Sequence, residues 1–225
     1  MTSLHDKTYP NEDASYRQTR NELLAAELAL EEQLRKVADM RQALPDGGPV
    51  MQDYVFDTLE NGTEQTIRMS DLFAPGKSSL FVYSFMLGPD DERPCPACTS
   101  LVDGFNGVRE HIQDRVNLAI VAKSPIARFA EFAESRGWSG IRLLSSANNS
   151  YNHDYFAETP SDGQIPAANM FTKRDGEIRH FYGAEMLYVD QPGRHPRHVD
   201  RIWPVWNLFD LTPEGRGDWG SKLAY

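Results

Sequence analysis

Three things are scarce in this sequence: cysteine, basic charge and long apolar runs. Two cysteines in 225 residues cannot build a disulfide framework, and the single short loop they could close would remove little unfolded-state entropy. Lys and Arg number 23 against 33 Asp and Glu, a formal net charge of −10. That balance lacks the basic footprint which duplex nucleic acid and anionic membranes reward, so neither is expected as a partner. The longest apolar stretch, residues 80–87, is interrupted by Ser84 and falls far short of the ~20 residues that span a bilayer. The first twenty residues carry no apolar core of the signal-peptide kind, which makes a cytoplasmic location the expectation. Gly (16) and Pro (14) are near average usage, and 40% apolar residues suit a soluble chain with a core.

What is present is an alternation of strand and helix signals. Residues 15–40 read as an amphipathic helix, with Leu23, Ala26, Leu30, Leu34 and Val37 at spacings of three and four. The run Pro45-Asp46-Gly47-Gly48-Pro49 then breaks the chain. A hairpin follows, its arms at 50–59 and 63–69 flanking Asn61-Gly62, the pair suited to a type I′ turn. Residues 79–87 form a continuous apolar run, as a strand covered on both faces requires. A helix marked by Leu101, Val102, Phe105, Val108 and Ile112 comes next, weakened by Gly104 and Gly107. Residues 116–122 make a buried strand, and Ser124-Pro125 looks like a hydroxyl cap and first-turn proline for a helix that Gly137 ends. Residues 141–144 give a further strand, 146–163 a loop or short helix, and 167–172 with 178–182 a tight antiparallel pair. The tail from Arg194 holds Trp203, Trp206, Phe209 and Trp219, enough aromatic surface to predict docking on the body.

The two cysteines are Cys95 and Cys98, in Cys-Pro-Ala-Cys. Two cysteines placed at random would show this spacing in roughly 1 of 110 chains, and in a cytosolic setting a lone C-x-x-C beside a βαβ pattern points to dithiol redox chemistry. Cys95 lies where a helix begins, so its sulfur can face unsatisfied N–H groups that favour the thiolate. Cys98, one turn later, would be covered and act as the resolving thiol. Pro96 fits the first turn, where no N–H is needed. Asp90, Asp91 and Glu92 lie just upstream and oppose a thiolate, Arg93 offsetting one of them. Zinc is the rival chemistry, with His195 and His198 completing a Cys₂His₂ set. Their x₂ spacing is shorter than usual and ~97 residues separate the two pairs, so no metal is expected. His111, His153 and His180 read as isolated side chains. Phosphate-loop, nucleophile-elbow and dinucleotide fingerprints are missing, so no cofactor is expected and any redox partner comes from outside the chain.

A dithiol between a buried strand and the next helix is the thioredoxin layout. The segment 164–172 (Gln-Ile-Pro-Ala-Ala-Asn-Met-Phe-Thr), followed by a glycine turn and a second strand, resembles the thioredoxin segment that carries a cis-proline. That resemblance implies a cis bond at Pro166, presenting the backbone of Ile165 to an extended substrate. The opening hairpin, Ser70-Asp71-Leu72-Phe73 and Gly76-Lys77 resemble the front end of peroxiredoxin-type folds. More specifically, Cys95-Pro96-Ala97-Cys98, the run Val102 to Gly107 (VDGFNG) and the tail Trp206 to Gly217 (WNLFDLTPEGRG) resemble a bacterial thioredoxin-like family catalogued as a domain of unknown function. Its members are described as predicted dithiol–disulfide oxidoreductases. The resemblance implies an α/β fold, a thioredoxin-like three-layer α/β/α sandwich with a mixed sheet. An N-terminal helical extension (1–46) would precede the thioredoxin-like domain (47–193) and a docked tail (194–225).

The sequence departs from thioredoxin in having Pro94 before the first cysteine, and from peroxiredoxins in lacking their threonine ahead of it. The function implied is thiol–disulfide exchange, with a protein disulfide or external thiol reductant as partner. A noncatalytic thioredoxin-fold scaffold and a thiol peroxidase stand as alternatives. The leading helix and aromatic tail together offer more apolar surface than a minimal domain needs, and a homodimer is expected from them.

Overall fold

The computed structural model describes residues 4–161, 163–190, 192 and 197–225. The chain divides into two compact units, Met1–Pro45 and Asp46–Tyr225. In the first, α1 spans Ala14–Gln42 and is capped by Asp13, whose carboxylate accepts the Tyr16 N–H at 2.8 Å. Taken by itself this unit leaves Leu23, Leu28 and Leu30 of α1 exposed. No helix among the described residues is long and apolar enough to cross a membrane.

The second unit is built on one seven-stranded mixed sheet. In chain order its strands are β1 (Val55–Glu60), β2 (Thr63–Arg68), β3 (Ser79–Ser84), β4 (Asn117–Ala122), β5 (Arg142–Ser145), β6 (Ala167–Arg174) and β7 (Glu177–Gly183). Their spatial order is β2-β1-β5-β4-β3-β6-β7. β3, β4 and β5 run parallel, while β6 is antiparallel to β3 and β7 to β6. This is the thioredoxin-like arrangement, extended at one side by the β1–β2 hairpin pairing through β5. Both hairpin turns place two successive residues at positive φ, Asn61-Gly62 and Asp175-Gly176, as type I′ geometry demands. β4 is buried at every position, which explains the apolar run from Leu118 to Ala122, while the buried Asn117 side chain accepts from Ala74 N–H and donates to Ser79 O.

The helices are α2 (Pro96–Gly107), α3 (Arg109–Arg115), α4 (Ile126–Ser135), α5 (Tyr151–Asp154) and α6 (Pro204–Phe209). Alternation along the strands divides the core in two. Tyr83, Phe85, Leu118 and Ile120 face α2 and α4, and Trp203 of the tail joins that cluster. Leu80, Val82, Ala119 and Val121 face the other way, onto Tyr54, Met69, Leu72 and the short α5. The second helical layer is therefore thin.

Local expectations differ from the structure in two places. The helix after the dithiol breaks into α2 and α3 at Val108, because Gly107 ends the first and Val108 leaves helical geometry. Ser124 does not cap α4. It is fully buried, its carbonyl accepts the Ser145 hydroxyl at 2.7 Å, and Pro125 occupies the cap position.

The outer edge of β7 is covered by the Gly-rich break itself. Val50 N–H donates to Ile178 O, and His180 N–H to Gly48 O. Gly47 is needed there, because a Cβ on it would lie 1.9 Å from His180 O, whereas one on Gly48 would meet nothing within 4 Å. Gly47→Ala is therefore expected to cost about 1–3 kcal/mol in urea unfolding, and Gly48→Ala to stay within about 0.5 kcal/mol of the parent. Equal midpoints for the two variants would contradict this account of the covered edge.

Candidate functional site

β3 ends at Ser84, and the chain turns through 85–94 before α2 begins. Cys95 is the N-cap of α2 with extended backbone, and Pro96 takes the first helical position. The Cys95 N–H donates to Met86 O at 3.1 Å, which ties the cap to the end of the strand. Thr99 holds the Cys95 carbonyl twice, through its N–H (3.0 Å) and its hydroxyl (2.9 Å). The Cys95 sulfur accepts the Cys98 N–H at 3.4 Å, so a thiol stands where Ser, Thr or Asp usually caps a helix. Both cysteines are free thiols; Cys95 is half-buried and Cys98 only 2% exposed.

The electrostatics separate the pair. The Cys95 thiol is pulled down to about 6, first by the hydrogen bond from the Cys98 thiol and then by the backbone N–H groups of Cys98 and Ala97. Burial works against that shift. Cys98 moves the other way, raised by its bond to Cys95, by burial and by the Cys95 charge. Under them lies Tyr83 of β3, a fully buried ring whose hydroxyl interacts with the Cys98 thiol and lowers that thiol's pKa. Its own ionisation is pushed well up, first by burial and then by the Cys98 charge, so it acts as a hydrogen-bonding hydroxyl rather than an anion. Tyr83 escapes a reading of the sequence because it sits inside an apolar strand twelve residues before Cys95, where alternation marks it only as core.

Of the upstream acids, Asp91 is engaged in its own loop. The Asp91 carboxylate accepts the Gly88 N–H at 2.6 Å. Arg128 of α4 holds this loop by donating to the carbonyls of Gly88 (3.2 Å), Pro89 (2.9 Å) and Asp91. α2 is in turn fixed from below: Asp103 accepts from Trp138 Nε1 at 2.7 Å and Arg136 Nη2 at 2.5 Å, and Trp203 Nε1 donates to Ser100 Oγ at 3.1 Å. The VDGFNG run is thus structural. Asn106 clamps the turn at Gly137 and Ser139, and Gly104 lies against Pro204.

Ala167 pairs with Ser84, so continuing the register by one step sets Pro166 beside Phe85 and the start of the dithiol loop. Gln164 packs there too, its Cγ within 3.4 Å of where a Cβ on Gly88 would stand. The expected cis bond at Pro166 is corrected: no cis peptide occurs among the described residues. The physical reason is that residues 157–165 fold back on themselves. Ile165 N–H donates to Ala157 O (2.8 Å), Thr159 N–H to Gly163 O (2.8 Å), and Gln164 bridges Glu158. The chain enters β6 already extended, and the Ile165 amide that an added strand would need is bonded internally. Pro166, Ile165 and Pro96 are all half-buried.

Of the zinc alternative, His195 lies outside the described residues, and no metal-holding group of three His, Cys, Asp or Glu occurs among those described. His111 is exposed, His153 pairs with Asp154 at 3.2 Å, and His180 faces a cavity on the β6–β7 side.

Among curated proteins nothing matches this chain. Solved structures that resemble it include peroxidoxin BcpB from Mycobacterium tuberculosis (16% identity, 73% of this chain and 97% of that one, TM-score 0.46). Another is a cysteine-to-serine mutant of PrxQ from Xylella fastidiosa (11% identity, 73% and 96%, TM-score 0.49). A third is thioredoxin peroxidase I from Plasmodium yoelii (13% identity, 79% and 100%, TM-score 0.47). Residues 6–224 match the family described as "Bacterial protein of unknown function (DUF899)", and the chain belongs to that family.

Proposed function

We propose that the protein is a thiol–disulfide oxidoreductase in which Cys95 attacks and Cys98 resolves. One observation carries the reading: the Cys95 thiol is the cap of α2, accepting the Cys98 N–H, and its pKa is drawn to about 6 above a buried, protonated partner. A thiol with pKa near ambient pH combines a high thiolate fraction with retained nucleophilicity, the optimum for exchange.

In the proposed cycle the Cys95 thiolate attacks one sulfur of a protein disulfide. The S–S bond breaks, a mixed disulfide forms and the first substrate thiolate leaves, taking up a proton. Cys98 then gives up its proton to solvent, with the Tyr83 hydroxyl supporting the developing thiolate, and attacks the Cys95 sulfur. A Cys95–Cys98 disulfide forms and the second substrate thiol departs, the substrate having gained two electrons. An external dithiol reductant would restore the pair. Pro96, Pro166 and Ile165 would flank the approaching substrate by packing, since the Ile165 N–H is bonded internally.

The Cys95 shift gives a first test. Its folded pKa is depressed from the ordinary 9.0 to about 6, so the thiolate is present above pH 6 and lost as pH falls through that value. Iodoacetamide modification of the reduced protein should rise with a midpoint near pH 6 and map to Cys95, with Cys98 modified only after unfolding. A midpoint near the ordinary 9.0, or faster labelling at Cys98, would remove the assignment of roles.

Turnover gives the second. The protein should catalyse reduction of a protein disulfide by a dithiol, Cys95→Ser should abolish it, and Cys98→Ser should accumulate the mixed disulfide. Tyr83→Phe should lengthen the lifetime of that intermediate by about tenfold, a loss of roughly 1.4 kcal/mol, and leave Cys95 alkylation unchanged. Inert thiols in the folded protein would leave the scaffold reading, and faster consumption of hydroperoxide than of disulfide would assign a peroxidase.

A further inference from the structure

α1 lacks what normally holds a helix in place. It runs for 29 residues, yet Asn21 is the one buried residue along it. Residues 25–33 are exposed at every position. Helices in water draw most of their stability from an apolar face packed on something else, and isolated ones are marginal. The pair Glu31–Arg35, at 2.8 Å and exposed, adds little to that.

The exposed apolar residues are not scattered. Tyr16, Leu23, Leu30 and Val37 recur every seven residues, with Ala26 and Met40 at the intervening positions of the same seam. Tyr16, Leu23, Leu30 and Met40 are each 45–60% exposed, and Val37 is half-buried. Leu28 points to the opposite face, a lone exposed residue of the kind every protein surface carries. A seam repeating every seven residues is what two helices bury against each other in a coiled coil. The leading segment leaves it open, because Lys7 O is held by Arg17 Nη1 (2.9 Å) on another face of α1.

We propose that α1 of a second copy of this chain lies antiparallel along this seam, the two-fold axis passing at the level of Leu28. Leu28 is the middle of Ala14–Gln42, so that register overlaps the two helices fully. It sets Tyr16 against the partner's Met40, Leu23 against the partner's Gln33 and Ala26 against the partner's Leu30. Charge selects the direction. Flanking the seam, Glu22 meets the partner's Lys36 and Lys36 meets the partner's Glu22, while Ala29 meets the partner's Ala29. One like pair remains, Glu27 with the partner's Glu27 at the axis. A parallel pair would instead set Glu22 against the partner's Glu27 and Lys36 against the partner's Arg41, like on like, each twice. Both residues are exposed and available: Glu22 accepts only the Gln18 amide at 3.3 Å, and Lys36 enters no ion pair among the described residues.

Sedimentation equilibrium of the full chain tests the proposal, under reducing conditions so that no intermolecular disulfide contributes. The chain should be a dimer at micromolar concentration. Leu23→Glu combined with Leu30→Glu, both at exposed positions, should give a monomer with unchanged near-UV circular dichroism. Charge reversal reads the direction without touching the seam. Glu22→Lys and Lys36→Glu should each raise the dissociation constant at least about threefold, since each puts like charges across two symmetry-related contacts, and the double variant should restore it. If the leucine variant fails to fold, the charge variants decide. A chain that stays monomeric through the micromolar range would overturn the proposal, leaving the seam to the chain's own second unit or to another protein. So would a dimer indifferent to the leucine changes, or single charge reversals that tighten it, as a parallel pair demands. The measurement reads no thiol exchange, so its outcome is separate from that of the proposed oxidoreductase activity.

Discussion

A sulfur atom caps a helix here, and the rest of the domain is arranged around that requirement. A thiol is a weaker acceptor than the oxygen of Ser or Asp, and it satisfies the helix best as an anion. The Cys95 cap therefore couples two things: the start of α2 and the ionisation of the Cys95 thiol. For the coupling to hold, the cap must not drift. Met86 O fixes the Cys95 N–H, Thr99 grips the Cys95 carbonyl by two bonds, and Arg128 reaches from α4 to three carbonyls of the preceding loop. The strand end, the loop and two helices thus converge on one sulfur.

Burial would work against that thiolate if nothing answered it. The half-buried Cys95 offsets the penalty with hydrogen bonds from the Cys98 thiol and two backbone amides, and these outweigh desolvation. Cys98 has no such surplus: the same bond and the same burial push it up, and the Tyr83 hydroxyl pulls back only part of the shift. One hydrogen bond between the thiols accordingly lowers the pKa of one and raises that of the other. The asymmetry follows first from the direction of that bond, then from the backbone N–H groups that only Cys95 meets at the start of α2 and from the greater depth of Cys98.

Much of this was legible in the sequence. The alternation of apolar runs with helix signals gives the strand–helix order, because period and length suffice where β3 and β4 are buried on both faces. The turn pairs Asn61-Gly62 and Asp175-Gly176 mark both hairpins through their positive φ requirement. The cap role of Cys95 follows from Pro96 at the first helical position. What escaped is what depends on contacts between distant segments. Tyr83 reads as an ordinary core aromatic until α2 is laid over it. Arg128 reads as one more exposed helix charge until the loop at 88–91 is within reach. Ser124 looks like a cap because the local pattern ignores Ser145, which claims its carbonyl from a neighbouring strand. The trans bond at Pro166 shows the same limit, since the backbone bonds of residues 157–165 settle how that segment enters β6.

Outside the dithiol, Asp103, Asn106, Trp206, Asp210 and Arg216 of the VDGFNG and WNLFDLTPEGRG runs serve packing and support. Asp103 and Asn106 pin α2 to the turn after α4. In the tail, Arg216 bonds Asp200 and Asp210, each at 2.6 Å, and lies 5.0 Å from the Trp206 ring. Those bonds brace the segment whose Trp203 reaches Ser100 in the first turns of α2. Paired charges around a buried carboxylate are weak sources of net stability but strong constraints on geometry, since removing one partner leaves a charge unanswered. The tail therefore acts as a brace on the helix that carries the dithiol. A thiol whose reactivity depends on a backbone N–H at 3.4 Å gains from a helix that cannot shift.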